Sequence, residues 1–443
     1  MFCRLYSVLL LFGSLLAWGQ SGFELDNDRK KSKIPFQWVN NLIILPVELN
    51  GIPLNFLLDT GVEETILFSL DDPNEVQFST LEKVKIKGFG ANEPIDAYRA
   101  DHNSLRIGSA LDNDHKVYIL LDQEINISSS VGLPVNGIVG AHFFKNFLVR
   151  IDYVNQRLII GKSLQKVKRR KEQFTPLPLY LVQNKPYVKM KGQQGIKTID
   201  LLQLLDTGNT DAAWLFPAVM PQSFLSKNTI QDYLGKGLSG TIYGNRSRID
   251  GLKWDTFMLP RPIVAMPDSL SMTHLVQVTN RTGSIGNEFL RRFHVIFDYA
   301  QQQLYIRPNS NYDDPFRYNM SGIEVKHQGL QWIAKSQRTD SRLTYGDITF
   351  EGSSTSIRDK IKYQFELKPI YVVANVRPDS PGAKVGIQKG DILLTIEEKE
   401  GHEMSLDQIN SYFKQQDGKS IEMELEHLGN PYKVTLVLKD VLP

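Results

Sequence analysis

Apolar residues in this chain come in short alternating runs broken by glycine and asparagine, the period of β-strands rather than of amphipathic helices. Two stretches share one layout. Ile43 to Leu58 reads as a strand, a turn at Asn50-Gly51 and a second strand; Val188 to Leu205 reads as a strand, a turn within Gly192 to Gly195 and a second strand. Each second strand runs through paired leucines, Leu57-Leu58 and Leu204-Leu205, into the same tripeptide. These are Asp59-Thr60-Gly61 and Asp206-Thr207-Gly208, 147 positions apart.

A lone Asp-Thr-Gly is an ordinary turn after a strand. Here more repeats behind it: Gly140 to Tyr153 aligns without a gap on Gly286 to Tyr299, and the pairing continues through Gln156/Gln302, Leu158/Leu304 and Ile160/Ile306. Self-similarity at a fixed offset marks a duplicated unit. The chain therefore holds two homologous halves, each with a hairpin, an Asp loop and a later apolar-Gly turn. Asp152-Tyr153 and Asp298-Tyr299 also repeat, and an aspartate ending a strand before a turn reads as structural.

After Arg307-Pro308-Asn309 the pattern changes. Pro381 opens a short helix, Gly386 ends it in the left-handed conformation, and Gly390-Asp391 turns the chain into a strand from Ile392 to Ile396. Ser405 caps a helix with Leu406, Ile409 and Phe413 on one face. Alternating strands follow through Ile421-Met423-Leu425 and Val434-Leu436-Leu438. The residues from Glu324 to Pro369, ahead of the next strand, exceed what a small module of this kind needs.

Length supports this division: 443 residues with 41% hydrophobic content suffice for about three domains. A net charge of +2 excludes little. Basic residues cluster only at Lys166, Lys168, Arg169, Arg170 and Lys171, without interleaved aromatics, which suits a solvated linker better than a nucleic-acid patch. Arg4 precedes an apolar stretch from Leu5 to Trp18, with small residues at Ala17, Gly19 and Ser21. Residues 1–20 read as a secretory signal, and about 14 apolar residues are too few to span a bilayer comfortably. The expectation is an exported protein: periplasmic, cell-envelope or extracellular. Cys3, the only cysteine, lies in that segment, so the mature chain has no disulfide, as suits an exported bacterial protein stabilised by its cores. Residues 21–33 are short and charged, a disordered tail rather than a pro-segment. The eight histidines are scattered, with no zinc spacing, and there is no nucleophile elbow or Walker loop. No metal or cofactor is expected.

Two carboxylates within hydrogen-bonding distance share one proton, because ionising both is costly. One then serves as base towards a water and the other as acid towards the carbonyl that the water attacks. Gly61 and Gly208 let the backbone turn sharply, and the hydroxyls of Thr60 and Thr207 reach across to hold the loops in register.

On these doubled motifs, residues 34–308 resemble the aspartic proteases of the retropepsin and pepsin-like superfamily, the retropepsin-like half occurring twice in one chain. Ile138-Val139-Gly140 and Ser284-Ile285-Gly286 stand where that family packs a turn beneath each catalytic loop. The resemblance implies a mainly β, bilobal fold with halves at 34–165 and 174–308. It implies Asp59 and Asp206 as catalytic residues, with Thr60, Gly61, Thr207, Gly208 and Asn209 supporting their loops. It further implies a peptide or protein substrate and an active site completed within one monomer. Flaps fall at Gly88, Phe89 and Gly90 in the first half and at Ser239, Gly240 and Tyr243 in the second; both also read as ordinary surface hairpins. Where the family usually has Ala, Ser or Thr after Asp-Thr-Gly, this chain has Val62 and Asn209. An Asn209 amide bonded to the carboxylate makes the pair electrostatically unequal and the working pH milder than in digestive relatives.

Pro378 to Leu394 resembles the Ser-Pro-Ala, Ala-Gly-Leu, Gly-Asp-Ile-Leu string of PDZ domains in bacterial proteases, which implies a PDZ-like domain over 315–443. Such domains bind a peptide by strand addition. Ser321, Gly322 and Ile323 are the candidate carboxylate cradle, or else a plain turn, and Leu406, Ile409 and Phe413 the helix side of the groove. Three readings follow: an exported aspartic endopeptidase whose PDZ module selects or tethers substrates, a non-catalytic peptide-binding protein, and a scaffold working through its PDZ groove. Deleting residues 310–443 separates the first from the last, since an endopeptidase still cuts unfolded protein without them.

Overall fold

A computed structural model describes residues 22–26, 29–68, 76–86, 95–121, 127–225, 228–237, 240–268, 278, 280–338 and 361–442. Residues 1–20, expected to be a secretory signal, and Gly88, Phe89, Gly90 and Ser239, expected in the flaps, lie outside them. The molecule is mainly β, and the described strands form four sheets. One belongs to each repeated half, one joins the halves, and one forms the C-terminal domain.

Within each half the Asp loop is made by the same local wiring. The strand Ile52–Leu58 pairs in parallel with Gly137–Val139, and Lys197–Leu205 pairs in parallel with Gly283–Ile285. The Asp59 amide donates to the Val139 carbonyl (3.0 Å) and the Asp206 amide to the Ile285 carbonyl (2.9 Å). Each apolar-Gly turn thus pins one aspartate at its strand end. A side chain at Gly140 or Gly286 would run into the backbone of 63–64 or of 209 and 211, so both turns require glycine.

The repeat also builds the joint between the halves. Leu148–Asp152 and Phe293–Asp298 pair antiparallel, with Arg150 opposite Ile296, its own counterpart in the repeat. Equivalent residues facing one another place a pseudo-twofold axis there. Asp152 and Asp298 cap the following turns by accepting from the Asn155 and Gln301 amides.

Three stretches depart from the sequence reading. Residues 21–33, expected as a disordered tail, contribute Phe23 to the core, and Lys31–Pro35 pairs with Arg157–Gly161. The charged residues there had masked the alternation that buries Ser32 and Ile34. The basic linker includes a short helix, Leu164–Val167, with Val167 buried, and Glu172 beyond it pairs with Arg150 (3.0 Å) at the joint between the halves. From Ile323 the chain is itself a strand, Ile323–Arg338, paired along its length with Ile361–Val376. These two paired strands take up residues 324–338 and 361–369 of the stretch that seemed surplus.

The C-terminal sheet is completed by Ile392–Ile396, Lys399–Glu400, Ser420–His427 and Asn430–Val437. Helix Leu406–Tyr412 carries a full capping box between Ser405 and Gln408. This domain packs tightly on the halves. Arg248 donates to the Leu442 carbonyl (2.7 Å) and pairs with Asp440 (3.3 Å), Arg292 lies 3.7 Å over the Phe316 ring, and Asn410 donates to Asn40 (3.1 Å).

Candidate active site

The two Asp-Thr-Gly loops meet tip to tip at the axis. Thr60 Oγ1 donates to the Leu205 carbonyl (2.7 Å) and accepts from the Thr207 amide (3.1 Å); Thr207 Oγ1 donates to the Leu58 carbonyl (2.8 Å) and accepts from the Thr60 amide (3.0 Å). Both threonines are fully buried. The four bonds satisfy polar backbone that the loops would otherwise bury unpaired, and they fix one Asp loop against the other.

This clamp brings the carboxyls of Asp59 and Asp206 together. Gly61 N donates to Asp59 (2.7 Å) and Gly208 N to Asp206 (3.1 Å). A Cβ on Gly208 would collide with the Asp59 carboxyl, and one on Gly61 would sit 2.9 Å from Asp206 Oδ1. Each glycine therefore makes room for the opposite half's carboxyl.

Burial pushes Asp59 well above the usual carboxylate range, and the neighbouring Asp206 charge pushes it further. Burial also raises Asp206, but Arg281 opposes this, as do a hydrogen bond from Asp59 and the charge of Lys185. The pair is unequal, with the proton favoured on Asp59. The cause differs from that read in the sequence. Asn209 does not reach a carboxylate: its amide donates to Ser284 Oγ (3.1 Å) and its oxygen accepts from the Asp211 amide (2.9 Å). Ser284, the odd residue of the second apolar turn, is thus the partner of Asn209, the odd residue of the second Asp loop.

Lys185, Tyr187 and Arg281 were not marked in the sequence. Lys185 follows a tight turn whose Gln183 and Asn184 take positive φ, and Asn184 donates to Glu63 of the first half. Arg281 is held by its Nε donating to the Gly283 carbonyl (3.1 Å) and lies over the rings of Phe216 (5.1 Å) and Tyr187 (6.0 Å). By the repeat its counterpart is Val135, so an arginine replacing an apolar core position was the available signal.

Both aspartates open into one cavity of about 900 Å³, whose wall includes Lys85, Ile86, Lys185, Leu234 and Ile242. Gly240 and Tyr243 of the second flap stretch do not line it; Leu234 to Gly237 of the same hairpin do. The C-terminal candidates divide as well. All six are buried, but Gly322 and Ile323 also border the cavity, whereas Ser321, Leu406, Ile409 and Phe413 do not line it. The amides of the cradle are already engaged: Asn319 Oδ1 accepts from the Ser321 and Gly322 amides (both 3.1 Å), and Ser321 Oγ accepts from the Ile323 amide (3.0 Å).

Residues 45–143 match the family model for aspartyl proteases, and residues 372–426 match that for PDZ domains. The first match covers the first Asp loop and its apolar-Gly turn, and the second lies within the C-terminal domain. No curated protein matches it. Among solved structures, the aspartic proteinase from Irpex lacteus aligns with 63% of this chain and 98% of that one, at 13% identity and a TM-score of 0.40. No helix among the described residues is long and apolar enough to cross a membrane.

Proposed function

We propose that the protein is an exported aspartic endopeptidase that hydrolyses peptide bonds with a water activated by Asp59 and Asp206, its PDZ domain engaging substrate or partner peptides. The observation carrying this reading is the reciprocal threonine clamp, which holds two unequal carboxyls against each other at the floor of one cleft. A carboxyl pair so held has its geometry set before substrate arrives.

Asp206, favoured as the carboxylate by Arg281 and Lys185, takes the proton of a water lying between the pair as the water oxygen attacks the peptide carbonyl. Asp59, the protonated member, donates to that carbonyl oxygen as charge gathers on it. Collapse breaks the C–N bond as the proton that Asp206 took from the water passes to the departing amine, which leaves the pair sharing one proton as at the start. The Gly61 and Gly208 amides keep both carboxyls aimed at the cleft. Because Asp59 holds its proton well above the ordinary range, activity extends to mildly acidic and neutral pH. Maximal cleavage below about pH 3 would contradict that.

Incubation of the purified protein with an unfolded substrate from pH 3 to 8, with and without a statine-type transition-state analogue, tests the reading. Asp206→Asn and Asp59→Asn are each expected to lower cleavage at least about 10³-fold while leaving thermal unfolding intact. Cleavage surviving either substitution, or absent from the wild type at every pH, overturns it in favour of a peptide-binding protein. Export is checked by sequencing the N-terminus of the mature protein, expected near Gln20.

A further inference from the structure

The cavity holding the aspartates does not stop at the protease halves. Its far wall belongs to the PDZ domain, including Asn319, Gly322, Ile323, Glu324 and Asn375. Glu324 lies on the strand Ile323–Arg338 beside a register shift, opposite Asn375, while its neighbours Ile323 and Val325 are buried in the core. It faces the hairpin strand Thr229–Gly237 of the second half. Among the described residues its carboxyl has neither a hydrogen bond nor an ion pair.

Two arginines near this junction are already engaged. Arg246 pairs with Asp232 (2.9 Å) and with Asp211, and Arg377 lies 3.7 Å from Asp232. The other charges and titratable groups facing Glu324 are Asp232 and Tyr233, from the hairpin, and Lys326, on its own strand. Burial first, and Asp232 second, push the Glu324 carboxyl up to about 7, Lys326 opposing them. A half-buried carboxylate with no ion-pair partner among the described residues gives an incoming cation an attraction less screened by solvent than at the open surface. Part of the desolvation of its own half of the pair has been met on folding.

We infer that Glu324 is a specificity-determining residue, receiving a lysine or arginine side chain of a peptide lying in the cleft, so that the PDZ domain forms a subsite of the protease. This rests on the endopeptidase reading for its biological meaning, but binding tests it separately. Full-length Asp206→Asn protein is titrated at pH 6 and pH 8 with fluorescent decapeptides in which one lysine replaces norleucine at successive positions. At one position lysine is expected to be preferred about tenfold at pH 8, and less at pH 6, where Glu324 holds its proton. Adding Glu324→Gln abolishes that preference, and adding Glu324→Lys turns it towards a peptide with glutamate at the same position. Equal binding of lysine and norleucine at every position overturns the inference, as does a lysine preference that persists in Glu324→Gln, or failure of all the peptides to bind. Lysine selectivity without cleavage by the wild type leaves the subsite standing and removes the peptidase reading.

Discussion

Thr60 and Thr207 lie between the two aspartates and the rest of the molecule. Each hydroxyl accepts one amide and donates to one carbonyl of the opposite half. Thr207→Val keeps the shape but leaves the Thr60 amide and the Leu58 carbonyl buried and unpaired. The expected cost is about 2–3 kcal/mol of stability, read from urea unfolding, with a larger proportional loss of cleavage because the carboxyls lose register. Arg281 acts differently, through charge. It opposes the rise that burial imposes on Asp206, so Arg281→Gln raises the pKa of the base and moves the acid limb of kcat/KM upward by at least about one pH unit. A pH profile from 3 to 9 measures this, and an unmoved acid limb would remove Arg281 from the electrostatics of the pair. The roles of Arg281, and of Asn209 with Ser284, were hidden because each depends on what lies opposite after folding. Asn209 was visible as a departure from pattern, but its partner, 75 positions away, was not.

At the scale of elements, the parallel strand pairs bring each Asp loop to the axis, and the joint between the halves keeps the two loops facing. Gly208 is the tighter of the two glycines in the Asp-Thr-Gly loops. Gly208→Ala puts a methyl into the Asp59 carboxyl, so cleavage should fall at least about 10²-fold while circular dichroism still reports a folded β protein. The joint carries its own pH dependence. Burial alone would raise the Glu172 carboxyl, but hydrogen bonds from Arg150 and from the Arg169 amide outweigh it and hold the carboxyl at about 2. A depressed folded value means stability that is full above the unfolded value of about 4.3 and drains away as pH falls towards 2. The urea midpoint should therefore drop between pH 4.5 and 2, and Glu172→Gln should flatten that part of the curve. Equal pH dependence in both proteins would show that the pair contributes nothing to acid lability. The duplicated strands at this joint were legible from their ungapped repeat; the Arg150–Glu172 pair was not, since only antiparallel pairing across the axis buries Arg150.

For the molecule as a whole, the PDZ domain is a docked wall rather than a tethered appendage. Arg248 reaches Leu442, Asp440 and Phe316, and Leu442 and Phe316 are buried in a core continuous with the halves. Arg248→Ala should lower the thermal midpoint and speed proteolytic release of the C-terminal domain, as followed by limited digestion and mass spectrometry. Removal of residues 310–443 should likewise reduce activity, against the simpler expectation that an endopeptidase keeps cutting without them, because the truncation strips one wall from the cleft. The sequence by itself determined the duplication, the two Asp loops, the apolar-Gly turns and the capped helix of the PDZ domain. These are written in local periodicity and in repeats along one dimension. Tertiary structure alone decided that Lys185 and Arg281 stand beside the carboxyls, that Asn319 fills its own cradle, and that Glu324 faces the cleft. Electrostatic neighbours are set by distance in space, and the strand pairings that bring them together join residues tens to hundreds of positions apart.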